Sequence, residues 1–113
     1  MPKINVNADS APAAVAEVIR TLGANIATAR MRRRLPLEDL ARKAGISKET
    51  ATRVEAGRVT TSIGAYAAML WAMGLHHSLA EVAGPDTDRE GQTLAAARLG
   101  QRARPERVLS DDF

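Results

Sequence analysis

Residues 45–57 read GISKETATRVEAG, a stretch closed at both ends by glycine. Its apolar positions are only Ile46, Ala51 and Val54, while Lys48, Glu49, Thr52 and Arg53 put donors and acceptors on the other side. Such a stretch is built to present a polar face. Its surroundings are basic: residues 20–58 carry ten Lys/Arg against four Asp/Glu, and residues 59–113 carry five Arg against seven Asp/Glu. The run RMRRR, Arg30 to Arg34, concentrates that charge. A basic segment on a folded domain points to a polyanion partner, with a solvated helix face as the plain alternative. No other group offers stronger chemistry. There is no cysteine, so disulfides, thiolate catalysis and zinc–thiolate sites are excluded. The only histidines, His76 and His77, are adjacent, and on a helix their side chains would diverge by about 100°. They read as surface residues rather than as metal ligands. No nucleophile, acid or glycine-rich phosphate loop accompanies them. The expectation is therefore no catalysis, no metal and no cofactor.

The elements that must hold this face are helical. The chain has 113 residues, 45% hydrophobic but only 3% aromatic. A core of Ala, Leu, Val, Ile and Met suits packed helices better than a sheet. Residues 1–11 read as a loose tail, in which KINVN alternates like a short edge strand. Ser10 is placed to cap a first helix with Pro12 in its first turn. Val15, Ile19, Leu22, Ile26, Ala29 and Arg33 make one stripe of that helix, which Gly23 weakens slightly. The first part of the stripe needs a cover, either the C-terminal segment or a second subunit. Pro36 breaks the chain, and Leu37, Leu40, Ala41 and Ala44 form the stripe of a second helix that Gly45 ends. Ser47 caps a third, running to about Ala56 and stopped by Gly57. Thr60, Thr61 and Ser62 offer the cap of a fourth, with Ile63, Tyr66, Ala67, Leu70 and Met73 inward. Met69 and Trp71 read as its packing and its edge. A short fifth holds Leu79 and Val82. GPD at 84–86 is a boundary, and beyond it Gly91 and Gly100 argue against a firm helix. This divides the chain into a tail at 1–11, a domain at 12–83 and a partly helical extension at 84–113.

A helix, a glycine turn and a helix at the second and third positions is a helix-turn-helix layout. Ala41 and Ala44 are small where the two helices cross, and Gly45 supplies the left-handed turn. Residues 25–75 resemble the lambda-repressor and Cro-like (XRE) DNA-binding domains. The resemblance rests on LEDLARKAGISKETATRVEAG with Arg30 upstream and MGL (Met73 to Leu75) downstream. It implies an all-α, five-helix lambda-repressor-like domain, here with N- and C-terminal extensions.

The resemblance also implies a site. Base-facing positions fall on Lys48, Glu49, Thr50 and Arg53, with Thr52 beside them. Arg53 can fork onto guanine O6 and N7, and Glu49 can accept from cytosine N4. Glu49 and Arg53 also read as an i,i+4 ion pair, which is compatible with the first role. Arg30 and Glu55 match an arginine–glutamate pair of the family, so a largely buried ion pair is expected. The family's capping serine or threonine on helix 2, and the phosphate-gripping glutamine after it, are replaced by Pro36 and Leu37. The usual glycine before that corner is Arg34. Ser47, Arg34, Arg42, Lys43 and above all Arg58 are the phosphate candidates, with Arg32 and Arg33 nearby.

The function so implied is a sequence-specific regulator of transcription, a repressor binding a palindromic operator on double-stranded DNA as a homodimer. The alternative is an antitoxin that binds a toxin, of the HipA kinase type, through residues 84–113 and represses its own operon. Val108, Leu109 and Phe113 are candidates for that contact. With no leader-like start and no run of membrane-spanning length, the expected location is the cytoplasm, at the nucleoid.

Overall fold

The computed structural model describes residues 11–103. Ser10 and the KINVN segment lie outside them, as do Val108, Leu109 and Phe113. Among the described residues there are six helices and no strand: α1 (Ala13–Arg32), α2 (Leu37–Ala44), α3 (Lys48–Glu55), α4 (Ile63–Ala72), α5 (His77–Ala80) and α6 (Arg89–Ala103). The chain divides into two compact units, Met1–His77 and Ser78–Phe113.

Local chemistry explains most of the boundaries. Pro36, at φ −62° and ψ 146°, is the N-cap of α2. Gly45 follows α2 at φ 76°, a backbone that side chains disfavour. There its N–H bonds to the Arg42 carbonyl at 3.1 Å, and Ile46 N–H to that of Ala41 at 3.0 Å. Ser47 and Ser62 cap α3 and α4 through the N–H groups of Thr50 and Ala65. α1 differs from the sequence expectation. Pro12 is its N-cap rather than a first-turn residue, and no side chain among the described residues caps it.

The first unit is built around Ile26, Leu40, Val54, Tyr66 and Met69, all fully buried. α3 packs on α1 and α2, and α4 packs on α2 and α3. The α1 stripe reaches this core only from Ile26 onward: Val15 and Val18 are exposed, and Ile19 and Leu22 are half-buried. α4 is apolar on all sides. It turns Ala65, Tyr66, Met69 and Leu70 inward and leaves Ile63 and Trp71 exposed. α5 is a single turn, and Val82 lies beyond it, exposed. In the second unit α6 runs through both glycines. The Asp88 carboxylate starts it by accepting from Gly91 N–H at 3.0 Å.

The closest approach in the first unit is backbone on backbone. A Cβ added to Gly23 would stand 2.7 Å from the Gly57 nitrogen and closer still to the Val54 carbonyl oxygen. A Cβ on Gly57, itself at φ 68°, would meet the Ile19 carbonyl oxygen at 2.9 Å. Gly23 is therefore where α1 crosses the end of α3. Its role is larger than the mild helix weakening expected from sequence. Gly23→Ala favours an isolated helix by about 1 kcal/mol. In the folded protein it is expected to lower stability by about 2–3 kcal/mol, because neither backbone can yield cheaply. Urea unfolding of the variant measures the sign directly, and a stabilised variant would mean the helices do not cross here.

Candidate nucleic-acid interface

α3 is eight residues long and buries Ala51 and Val54. With those two turned in, Lys48, Glu49, Thr52 and Arg53 are exposed and Thr50 is half-buried. The hydroxyl groups on this face are partly engaged within the protein. Ser47 Oγ accepts from Thr50 N–H at 3.1 Å and donates to Thr50 Oγ1 at 2.9 Å. The Thr52 hydroxyl donates to the Lys48 carbonyl at 2.9 Å. Glu49 and Arg53 have no ion-pair partner among the described residues, each other included. The charged ends of Lys48, Glu49 and Arg53 are thus the groups left to meet a ligand.

The far end of α3 is held by Arg30. Its Nε donates to Glu55 Oε2 at 2.7 Å and its Nη2 to Glu55 Oε1 at 3.1 Å. Its Nη1 donates to the Leu35 carbonyl at 2.9 Å. The side chains are 17% and 12% exposed, so the fork is mostly withdrawn from solvent. The hydrogen bond to Glu55 raises the Arg30 pKa still further, against the opposing effect of burial. One guanidinium therefore ties the end of α1, the α1–α2 turn and the end of α3 together. Glu55 faces inward and is not available to a ligand.

Around this face the cations differ in state. Arg42 pairs with Asp39 at 3.3 Å, but both are well exposed, so the pair contributes little. The Arg33 guanidinium donates to the Ala29 carbonyl at 2.9 Å. The side chains of Arg34, Lys43, Lys48 and Arg58 are exposed without a partner among the described residues. The Arg58 backbone is fixed, because the buried Tyr66 hydroxyl donates to its carbonyl at 2.8 Å.

Thr60, Thr61 and Ser62 line a cleft of about 380 Å³ with Thr50 and Arg53. Thr61 Oγ1 is buried there without a hydrogen-bond partner. From sequence these hydroxyl residues read only as a helix cap. Their position right after Arg58 and just before an apolar helix is the signal that could have marked them. His76 and His77 also depart from expectation. His76 precedes α5, so helical spacing does not apply, and the rings stack with centroids 4.2 Å apart. No group of three His, Asp or Glu able to hold a metal occurs among the described residues.

A short helix fixed from behind, capped in front and carrying unpaired charges on its outer face is the second helix of a helix-turn-helix. The chain belongs to the helix-turn-helix domain family, whose model matches residues 21–83, more than half of its length. No curated protein and no solved structure matches the chain significantly. The family meets DNA through the second helix of the motif, here α3. No helix among the described residues is long and apolar enough to cross a membrane.

Two measurements test the supports of this head. Glu55→Gln is expected to cost about 2–4 kcal/mol, between the loss of a charge-assisted hydrogen bond and the breaking of a fully buried pair. An unchanged melting temperature would mean the fork carries no stability. Burial raises the Tyr66 pKa above its ordinary 10.0. The folded state then binds the phenolic proton more tightly than the unfolded state does. This contribution is complete below pH 10 and is lost as pH rises through the folded value. Tyr66→Phe should cost about 1 kcal/mol at pH 7 and flatten the alkaline loss of stability. Since Tyr66 is the only tyrosine, its phenolate absorbance reports the titration alone.

Proposed function

We propose that the chain is a sequence-specific DNA-binding regulator, a repressor that binds a palindromic operator as a homodimer. The observation that carries this reading is the outer face of α3, whose Lys48, Glu49 and Arg53 are exposed and unpaired while Ala51 and Val54 alone are buried. In the complex Arg53 forks onto guanine and Glu49 accepts from cytosine, with Lys48, Thr50 and Thr52 against neighbouring base edges. Ser47, Arg34, Arg42, Lys43 and Arg58 lie along the phosphates. A single reading helix covers too few base pairs for useful specificity. Two copies with half-site centres roughly 34 Å apart supply the rest. The exposed Val15 and Val18 on α1 favour a second copy there. Such a protein works in the cytoplasm, at the nucleoid. The antitoxin reading is favoured by the exposed Leu94 and Leu99 on α6, which suit a protein partner.

Selection of bound sequences from a random duplex pool is the test. The expected outcome is a two-fold symmetric site. Against that site Arg53→Ala should cost about 1–3 kcal/mol and relax preference at one base pair. Arg58→Ala should weaken all sequences alike and reduce the salt slope by about 0.9. An asymmetric footprint would remove the homodimer. Failure to enrich any sequence would remove sequence-specific reading.

A further inference from the structure

Arg34 stands in the left-handed region at φ 54°. It follows the last turn of α1, where its N–H bonds to the Met31 carbonyl at 2.9 Å and Leu35 N–H to the Arg30 carbonyl at 3.3 Å. This is the helix-ending geometry that glycine normally supplies, because a Cβ is strained there. Here it holds an arginine, and the side chain is exposed without a partner among the described residues. The capping bonds hold the backbone of this turn, but no contact within the described residues uses the Arg34 side chain. A neighbouring position shows what an internal role looks like: Arg33 donates to the Ala29 carbonyl. Ala83 shares the left-handed backbone at φ 57° but has no group to offer; at Arg34 the same backbone displays an unpaired charge on a fixed turn, which suits an external anion.

The element next to Arg34 lacks the usual means of holding a phosphate. α2 starts at Pro36, which has no N–H and makes no side-chain cap, and its first turn carries Glu38 and Asp39. Those carboxylates repel an anion that the helix start would otherwise attract. The α1–α2 turn is nevertheless held to α3, because Arg30 bonds both the Leu35 carbonyl and Glu55. A charge on this turn is therefore positioned relative to the reading helix.

We propose that Arg34 is the DNA-backbone clamp of this domain, carried on the turn in place of the start of α2 and retained at a cost in stability. The inference rests on the DNA-binding reading above. Phosphate contacts are independent of sequence, so a random-sequence duplex at 50 mM salt serves as the probe.

Arg34→Gly removes both charge and strain. It should bind the duplex roughly three- to tenfold more weakly, with a log affinity against log salt slope shallower by about 0.9. Its melting temperature should rise by about 3–6 °C. Arg34→Gln removes the charge and keeps the strain, so it should lose the same affinity at an unchanged melting temperature. Arg34→Lys should match the wild type in both. If the glycine and glutamine variants bind like the wild type, the clamp is overturned while DNA binding stands. If the glycine variant melts lower, the trade against stability is overturned. A wild-type chain that retains no duplex at any salt overturns this inference and the DNA-binding reading together.

Discussion

The reading helix depends on how its C-terminal end is gripped. An eight-residue helix is too short to be stable alone, and α3 contributes only an alanine and a valine to the core. Its orientation is set by two contacts on one face of α1. Gly23 lets the α1 backbone lie directly on the last turn of α3, against the Val54 carbonyl and Gly57. Seven residues on, about 10 Å along α1, Arg30 forks onto Glu55. The first contact excludes every side chain larger than hydrogen. The second requires one particular planar group. Between them Ile26 is buried. α3 is thus held at its far end, and its start protrudes under the Ser47 cap.

This arrangement explains why so little core suffices. Helix ends leave polar groups that need partners. At the front of α3 the Ser47 side chain supplies one, and at the back the turn through Gly57 N–H to the Val54 carbonyl supplies another. Tyr66 then fixes the following loop by its bond to the Arg58 carbonyl. Polar backbone groups around the head are used to hold it, and the apolar seam can stay thin.

The parts legible in the sequence are those with local causes. Pro36, Gly45, Ser47 and Gly57 mark boundaries by their own backbone preferences, so residue type alone places α2, the turn and α3. The spacing of Ala51 and Val54 likewise defines which side of α3 faces inward. What is not legible comes from contacts between distant residues. A glycine inside a helical pattern looks the same whether it is a mild defect or a crossing point, so Gly23 reads as the lesser of the two. The left-handed backbone of Arg34 is not legible in its residue type, which argues against it; only the family's usual glycine at that place points to it. The apolar stripe of α1 runs its full length, but periodicity does not say where the core ends, and Val15 lies beyond it. The cleft beside Arg53 exists only because the α3–α4 loop folds back, which no single segment encodes.

The hydrogen bonds within α3 also constrain how it can discriminate. Ser47 and Thr52 spend their hydroxyl protons on Thr50 Oγ1 and the Lys48 carbonyl, while Thr50 Oγ1 accepts. The exposed charges of α3 are two donors, Lys48 and Arg53, and one acceptor, Glu49. Residues 20–58 are strongly basic, which by itself would make the face adhere to any duplex. Glu49 opposes that tendency. Arg53 lies one turn away and makes no ion pair with it among the described residues. A carboxylate on such a face repels phosphates and base acceptors. A carboxylate is satisfied by a base amino donor such as that of cytosine. An unpaired acid on a basic face opposes indiscriminate binding of polyanions, and a repulsive element of this kind is a general source of selectivity.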